Sequence, residues 1–134
     1  MTNFESPVKT IQASSEKIFT FLGNFNNFGN LVPAEISNWK SSENECSFTI
    51  QSMISLAMEI QLREPFHLIV MKSKGSNIFD FFIRIFISSI GENESTARVV
   101  FEADLNPMMA MLASKPLENF VKLVVEKLKE EMEK

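Results

Sequence analysis

Apolar and polar positions alternate with a period of two through most of this chain and with a helical period near its two ends. Phe4 to Ile11 predicts a first strand. Ser14 then suits an N-cap, with Glu16 in the first turn, for a helix over Ser15 to Leu22 that buries Ile18, Phe19 and Leu22. Gly23 and Asn24 stop it. Asn26-Asn27-Phe28 opens a second short helix that ends before Pro33, because the residue preceding a proline is pushed out of helical geometry.

From Glu35 the period of two takes over. Ile36 to Lys40 predicts a strand, and Cys46, Phe48 and Ile50 alternate with Ser47, Thr49 and Gln51 in the next. Leu56, Met58, Ile60 and Leu62 form one face of a further strand that Glu64-Pro65 ends. Phe66 to Lys72, Phe79 to Ile90 and a strand with Ala97, Val99, Phe101, Ala103 and Leu105 inward complete the series. The turns between them, through Lys74-Gly75-Ser76-Asn77 and Gly91-Glu92-Asn93-Glu94, are short and require antiparallel pairing.

The final segment is helical. Asn106 caps it, and Pro107 suits the first position, where its missing N–H has no use. Leu117, Phe120, Val121, Val124 and Leu128 recur on one face. Pro116 removes a hydrogen bond and divides this stripe from the Met-rich stretch Met108 to Leu112. A stripe that long needs a large apolar surface, and the strands before it are the one candidate.

Thus the order is strand, two short helices, six strands, long helix. With seven strands and three helices in that order, the chain resembles the START-like (SRPBCC, helix-grip) superfamily. That group includes birch-pollen-allergen-like proteins, polyketide cyclases and aromatases, and lipid-transfer domains. The residues carrying the resemblance are Ser14 to Leu22 ahead of Phe28 and Pro33, Thr96 opening the last strand, and the helix after Asn106-Pro107. It covers essentially the whole chain, and its specificity lies in the order of elements.

The resemblance implies an α+β fold: a seven-stranded curved antiparallel sheet wrapped around a long C-terminal helix, with two short helices after the first strand. It implies one domain over residues 1–134 and a cavity between sheet and helix for a lipid, sterol-like or polyketide-like molecule; the scarcity of catalytic side chains adds the expectation that it is bound without catalysis. A polyketide cyclase/aromatase- or hydrolase-like enzyme and a protein-interaction module stay open as alternatives. The inward phase nominates Phe48, Met58, Ile60, Phe81, Ile83, Phe101 and Phe120 as ligand-binding residues. The implied mouth, near the start of the long helix, adds Met108, Met109, Met111 and Leu112.

Composition sharpens this picture in one respect. There are 13 Phe, 8 Met, 1 Trp and no Tyr, so the interior is apolar and short of phenolic donors. The net charge of −4 argues against nucleic acid, which calls for a basic patch. With no run of eighteen apolar residues and no signal pattern, stable membrane insertion is not expected and a cytoplasmic location is. A homodimer stays open.

Candidate chemistry is sparse. His67, the sole histidine, shares a strand phase with Ile69 and Met71, so it is a candidate polar contact, though such a histidine is more often a packed or rim residue than a catalyst. Cys46, the sole cysteine, reads as a small buried hydrophobe. Arg84 lies between Phe82 and Phe86. Either its stem covers those rings, or the rings form an association patch, or a flipped register makes Arg84 a cavity anchor for a ligand carboxylate. Trp39 is expected at a rim or interface. No cofactor or metal is implied, since no His/Cys/acid set has ligand spacing.

Overall fold

A computed structural model describes every residue except Pro33 and Ser76. The stop expected at Pro33 and the Ser76 position of the 74–77 turn lie outside the described residues. β1 (Thr2–Glu5) and β2 (Lys9–Ile11) precede α1 (Ser15–Leu22) and a short 3-10 helix (Phe25–Asn30). β3 (Ile36–Ser41), β4 (Glu45–Ile50), β5 (Ile54–Glu64), β6 (Leu68–Ser73), β7 (Phe81–Gly91) and β8 (Glu94–Ala103) lead into α2 (Pro107–Met132).

The strands form one antiparallel eight-stranded sheet in the order β1-β8-β7-β6-β5-β4-β3, with β2 also paired to β8. The single strand expected over Phe4–Ile11 is therefore two pieces laid along β8, with Phe4 opposite Phe101 and Lys9 opposite Ala97. The break falls at Ser6-Pro7. Proline has no amide for the ladder, and Ser6 bridges the gap with its side chain. Its hydroxyl accepts the Val99 N–H at 2.9 Å while its own N–H donates to the Val99 carbonyl at 2.8 Å. Counted as one interrupted strand, the pair restores the expected seven.

Both α-helices begin as their caps dictate. The Ser14 hydroxyl accepts the Lys17 N–H at 3.1 Å, and the Asn106 side chain accepts the Met109 N–H at 2.8 Å. α2 runs unbroken through Pro116 and buries Leu117, Val121, Val124, Val125 and Leu128. It lies over β8, β1 and β2.

The far end of α2 is tied to the start of the chain. Lys129 Nζ donates to the Thr10 carbonyl at 2.7 Å and to Glu133 at 2.7 Å, and Glu133 accepts the Gln12 N–H at 2.9 Å. The hydrogen bond from Lys129, then that from Gln12, hold the Glu133 carboxyl below its ordinary value. A lowered carboxylate strengthens the fold above the ordinary carboxylate range, and that contribution is lost as pH falls through the lowered value.

Two bulges alter the expected phases. In β5, Leu56 and Met58 are buried as the alternation predicts, but Ile60 faces Met71 and Leu62 faces the adjacent Val70. The extra residue, Gln61, turns Leu62 to the outer face, where it is 42% exposed, while Ile60 before it keeps the inward phase and is half-buried. In β3, Ser37 pairs with Thr49 and Lys40 with Ser47, so Asn38 and Trp39 together oppose Phe48.

The sheet's outer face packs on itself. Arg84 lies 5.3 Å over the Phe82 ring and 3.6 Å from Glu102, and Arg98 lies 4.6 Å over the Phe86 ring and 2.6 Å from Glu5. Val70 and Val100 flank Arg84 in register and are buried on this face. The arginine stems and the phenyl rings are the cover, which is the first of the readings weighed for Arg84.

Candidate functional site

Between the sheet and α2 lies a narrow cavity of about 30 Å³. Its floor is the inward phase of five successive strands: Phe48 from β4, Met58 from β5, Met71 from β6, Ile83 and Ile85 from β7, and Val99 from β8. Phe120 and Val124, one turn apart on α2, close the top. The third side comes from a single stretch of chain, with Phe28, Leu31 and Val32 in and after the 3-10 helix and Ile36 and Trp39 on β3.

Trp39 reaches the cavity because of its backbone. Strict alternation from Ile36 would send residue 39 outward. Instead, Asn38 takes the left-handed conformation, with φ of 55°, and burial along β3 recurs at Ile36 and Trp39. Asparagine tolerates that region better than most residues. The ring then stacks between Phe28 (centroids 6.3 Å apart, planes at 9°) and Phe48 (5.6 Å, 27°). Phe48 stacks in turn on Phe120 at 5.7 Å, and Phe120 meets the Phe101 ring edge-on at 6.1 Å.

Every side chain at the wall is apolar. A void of about 10–15 Å³ can hold a water only where polar partners exist, so this one is dry. It is also small, since pockets for drug-sized ligands measure about 300–1,000 Å³. The larger concavities are open to solvent and carry polar side chains. One of about 460 Å³ on the outer face runs over Lys40, Ser47 and Ala57 to Lys74, whose ammonium pairs with Glu45 and Glu59.

Of the nominated residues, Phe48, Met58, Ile83 and Phe120 meet at the cavity. Phe81 and Phe101 lie one shell deeper, stacked at 5.1 Å. Ile60, opposite the inward Met71 and half-buried against the core, does not line the cavity. The mouth residues do not come to the cavity: Met108, Met111 and Leu112 are 72%, 86% and 51% exposed, and Met109 is half-buried against the core. Ala113 is the first fully buried residue of α2, and in the turns before it Met109 packs against the core while Met108, Met111 and Leu112 face away from it.

Neither candidate polar contact reaches the site. His67 sits in the turn before β6 rather than in a strand; its ring pairs with Glu64 at 2.8 Å and its side chain is 62% exposed. Its N–H closes that turn on the Glu64 carbonyl. Arg84 belongs to the outer face. Cys46 is buried, and burial pushes its thiol from the ordinary 9.0 up to about 12.

Cys46 pairs with Met58 and Met58 with Ser73, six residues along the sequence from His67, or about 20 Å by strand rise. His67 is therefore too far from the sulfur to act as its base. Alkylation of Cys46 by iodoacetamide at pH 8 should therefore be slower by about a hundredfold or more in the folded protein than in urea, because the thiolate is the reactive form. Equal rates would show that the thiol is not held neutral. The same burial lowers stability as pH rises from 9.0 to about 12, where the unfolded thiol ionises and the folded one does not.

Sequence reasoning missed Phe28, Leu31, Val32, Ile36 and Trp39 as cavity wall. Met71, Ile85, Val99 and Val124 share the phase of residues that were nominated. Trp39 depends on the bulge, for which Asn38 is the one local signal.

No family model matches the chain, and no curated protein matches it. Solved structures do match, over nearly its whole length. A START superfamily protein from Mycobacterium smegmatis is 15% identical, with 98% of this chain and 97% of that one covered and a TM-score of 0.72. A protein from Thermus thermophilus is 13% identical, with 98% and 97% covered and a TM-score of 0.78. Norcoclaurine synthase from Thalictrum flavum, in complex with dopamine and hydroxybenzaldehyde, is 12% identical, with 99% and 89% covered and a TM-score of 0.68. This chain has the helix-grip fold of the START superfamily.

Proposed function

We propose that this chain binds an apolar small molecule of the lipid, sterol-like or polyketide-like kind between the sheet and α2, without transforming it. The observation that carries the reading is the wholly apolar wall, in a fold whose sheet and helix meet there. Proton transfer or nucleophilic attack needs a polar group facing the substrate, and among the described residues none lines the cavity. His67, Cys46 and Arg84, from which an enzyme would draw its chemistry, lie apart from it and from one another.

Trp39 makes the reading easy to test, because it is the one tryptophan of the chain and stands in the wall. Titration with N-phenyl-1-naphthylamine, an apolar fluorophore, should give saturable energy transfer from Trp39 at one probe per chain. Palmitate or a sterol should displace it if it fits the same space. A probe signal that rises linearly without saturation would reject the proposal.

A further inference from the structure

The cavity as it stands is about an order of magnitude smaller than a pocket for a drug-sized molecule. Some wall must yield. The floor strands β5 to β8 are each paired on both sides, whereas β3 ends the sheet and is held by β4 alone. Its pairing is also interrupted, since Asn38 and Trp39 stand opposite Phe48. The same stretch from the 3-10 helix to β3 supplies Phe28, Ile36 and Trp39 to the wall, so it is the part of the wall that can move with the fewest ladder bonds broken.

Within that stretch the indole is the largest side chain, and its position rests on one backbone conformation. We infer that Trp39, turned inward by the left-handed bulge at Asn38, is the gatekeeper that sets the size of apolar molecule the cavity admits. This rests on the binding function proposed above and adds the residue that limits it and the side of entry. Entry is at the β3 edge, between Phe28 and Phe48, rather than at the methionines that begin α2. When Trp39 swings out, the faces of Phe28 and Phe48 that it now covers become available to the guest.

Two kinds of variant test this. Asn38→Val places a β-branched residue where φ is 55°, a region such residues avoid. In the ligand-free protein the Trp39 emission should shift to the red and acrylamide quenching should rise severalfold, while Asn38→Gly, which accepts the conformation, keeps the parent spectrum. A folded Asn38→Val protein with the parent's emission and quenching would overturn the bulge as the aiming device.

Should Asn38→Val not fold, Trp39→Ala decides. It should bind N-phenyl-1-naphthylamine, followed by the probe's own emission, about tenfold more tightly than the parent. It should also accept wider ring systems that the parent excludes. Equal affinity and an equal size limit in the two proteins would overturn the gatekeeper and leave the binding function standing. Saturable binding in neither would overturn both.

Discussion

Replacing Phe101 by Ala is expected to cost about 3–5 kcal/mol of folding stability, in the upper range for loss of a buried side chain. Phe101 is completely buried towards the end of β8, with Phe4 of β1 on one side and Ile83 of β7 on the other. Its ring stacks on Phe81 at 5.1 Å and receives the Phe120 ring edge-on at 6.1 Å. The cost has two parts, the lost transfer of the ring from water and the void left behind. The second part will be large here, because strands held in register on both sides cannot close over the gap.

Against a typical total of about 5–15 kcal/mol, such a loss leaves a marginal protein. Urea unfolding should show a lower midpoint with an unchanged slope. The new void would adjoin the existing cavity through Phe120, so an apolar guest such as benzene should restore part of the loss by mass action. A cost below about 2 kcal/mol would show that the neighbouring strands relax into the space after all.

Val121→Asp is expected to be more severe and to depend on pH. Val121 is fully buried on the gripping face of α2, with Leu117 one turn before it and Val125 one turn after, both also fully buried. A carboxylate there would have no partner from the helix. Burial of this kind raises an acid's pKa by up to about 3–5 units, and each unit is worth about 1.4 kcal/mol. At neutral pH the folded variant keeps its proton, so the cost is set by the gap of about 3 units between pH 7 and the ordinary aspartate value, about 4 kcal/mol beyond the lost valine packing.

The sign follows from linkage. With the folded-state value raised, the folded variant holds its proton while the unfolded chain has released it. Stability is then greatest below the ordinary aspartate range and declines as pH rises through the raised value. Thermal melts should find Val121→Asp better folded at pH 5 than at pH 8. An equally stable variant at both would mean that water reaches the carboxylate and that α2 does not seal this part of the sheet.

Much of this architecture was legible because its signals are local. Ser14 and Asn106 cap where their side chains suggest, and the stripe from Leu117 to Leu128 is the buried face of α2. Phe48, Met58 and Ile83 could be placed inward because the alternation around them is unbroken. The reading failed where pairing, rather than sequence, sets the phase. Gln61 and Asn38 each insert one residue against the partner strand, which sends Leu62 out and Trp39 in.

His67 and the first methionines of α2 failed for a different reason. Period alone gives a residue's face and not whether a neighbouring element extends far enough to cover it. His67 falls one residue short of β6, and Met108, Met111 and Leu112 lie on the uncovered side of the first turns of α2, where Met109 packs against the core.

The pairing of β1 and β2 with β8 has a consequence for how the chain reaches this structure. The first strand's neighbours are about a hundred residues away, so it stays without a partner until the last strand has formed. α2 rests on that composite surface, and its anchor at Thr10 and Gln12 closes a still longer loop. The local hairpins from β3 to β8 can assemble in order, and the grip of the helix must come last. Folding is then governed by the closure of one long loop and belongs with the slower, high-contact-order topologies.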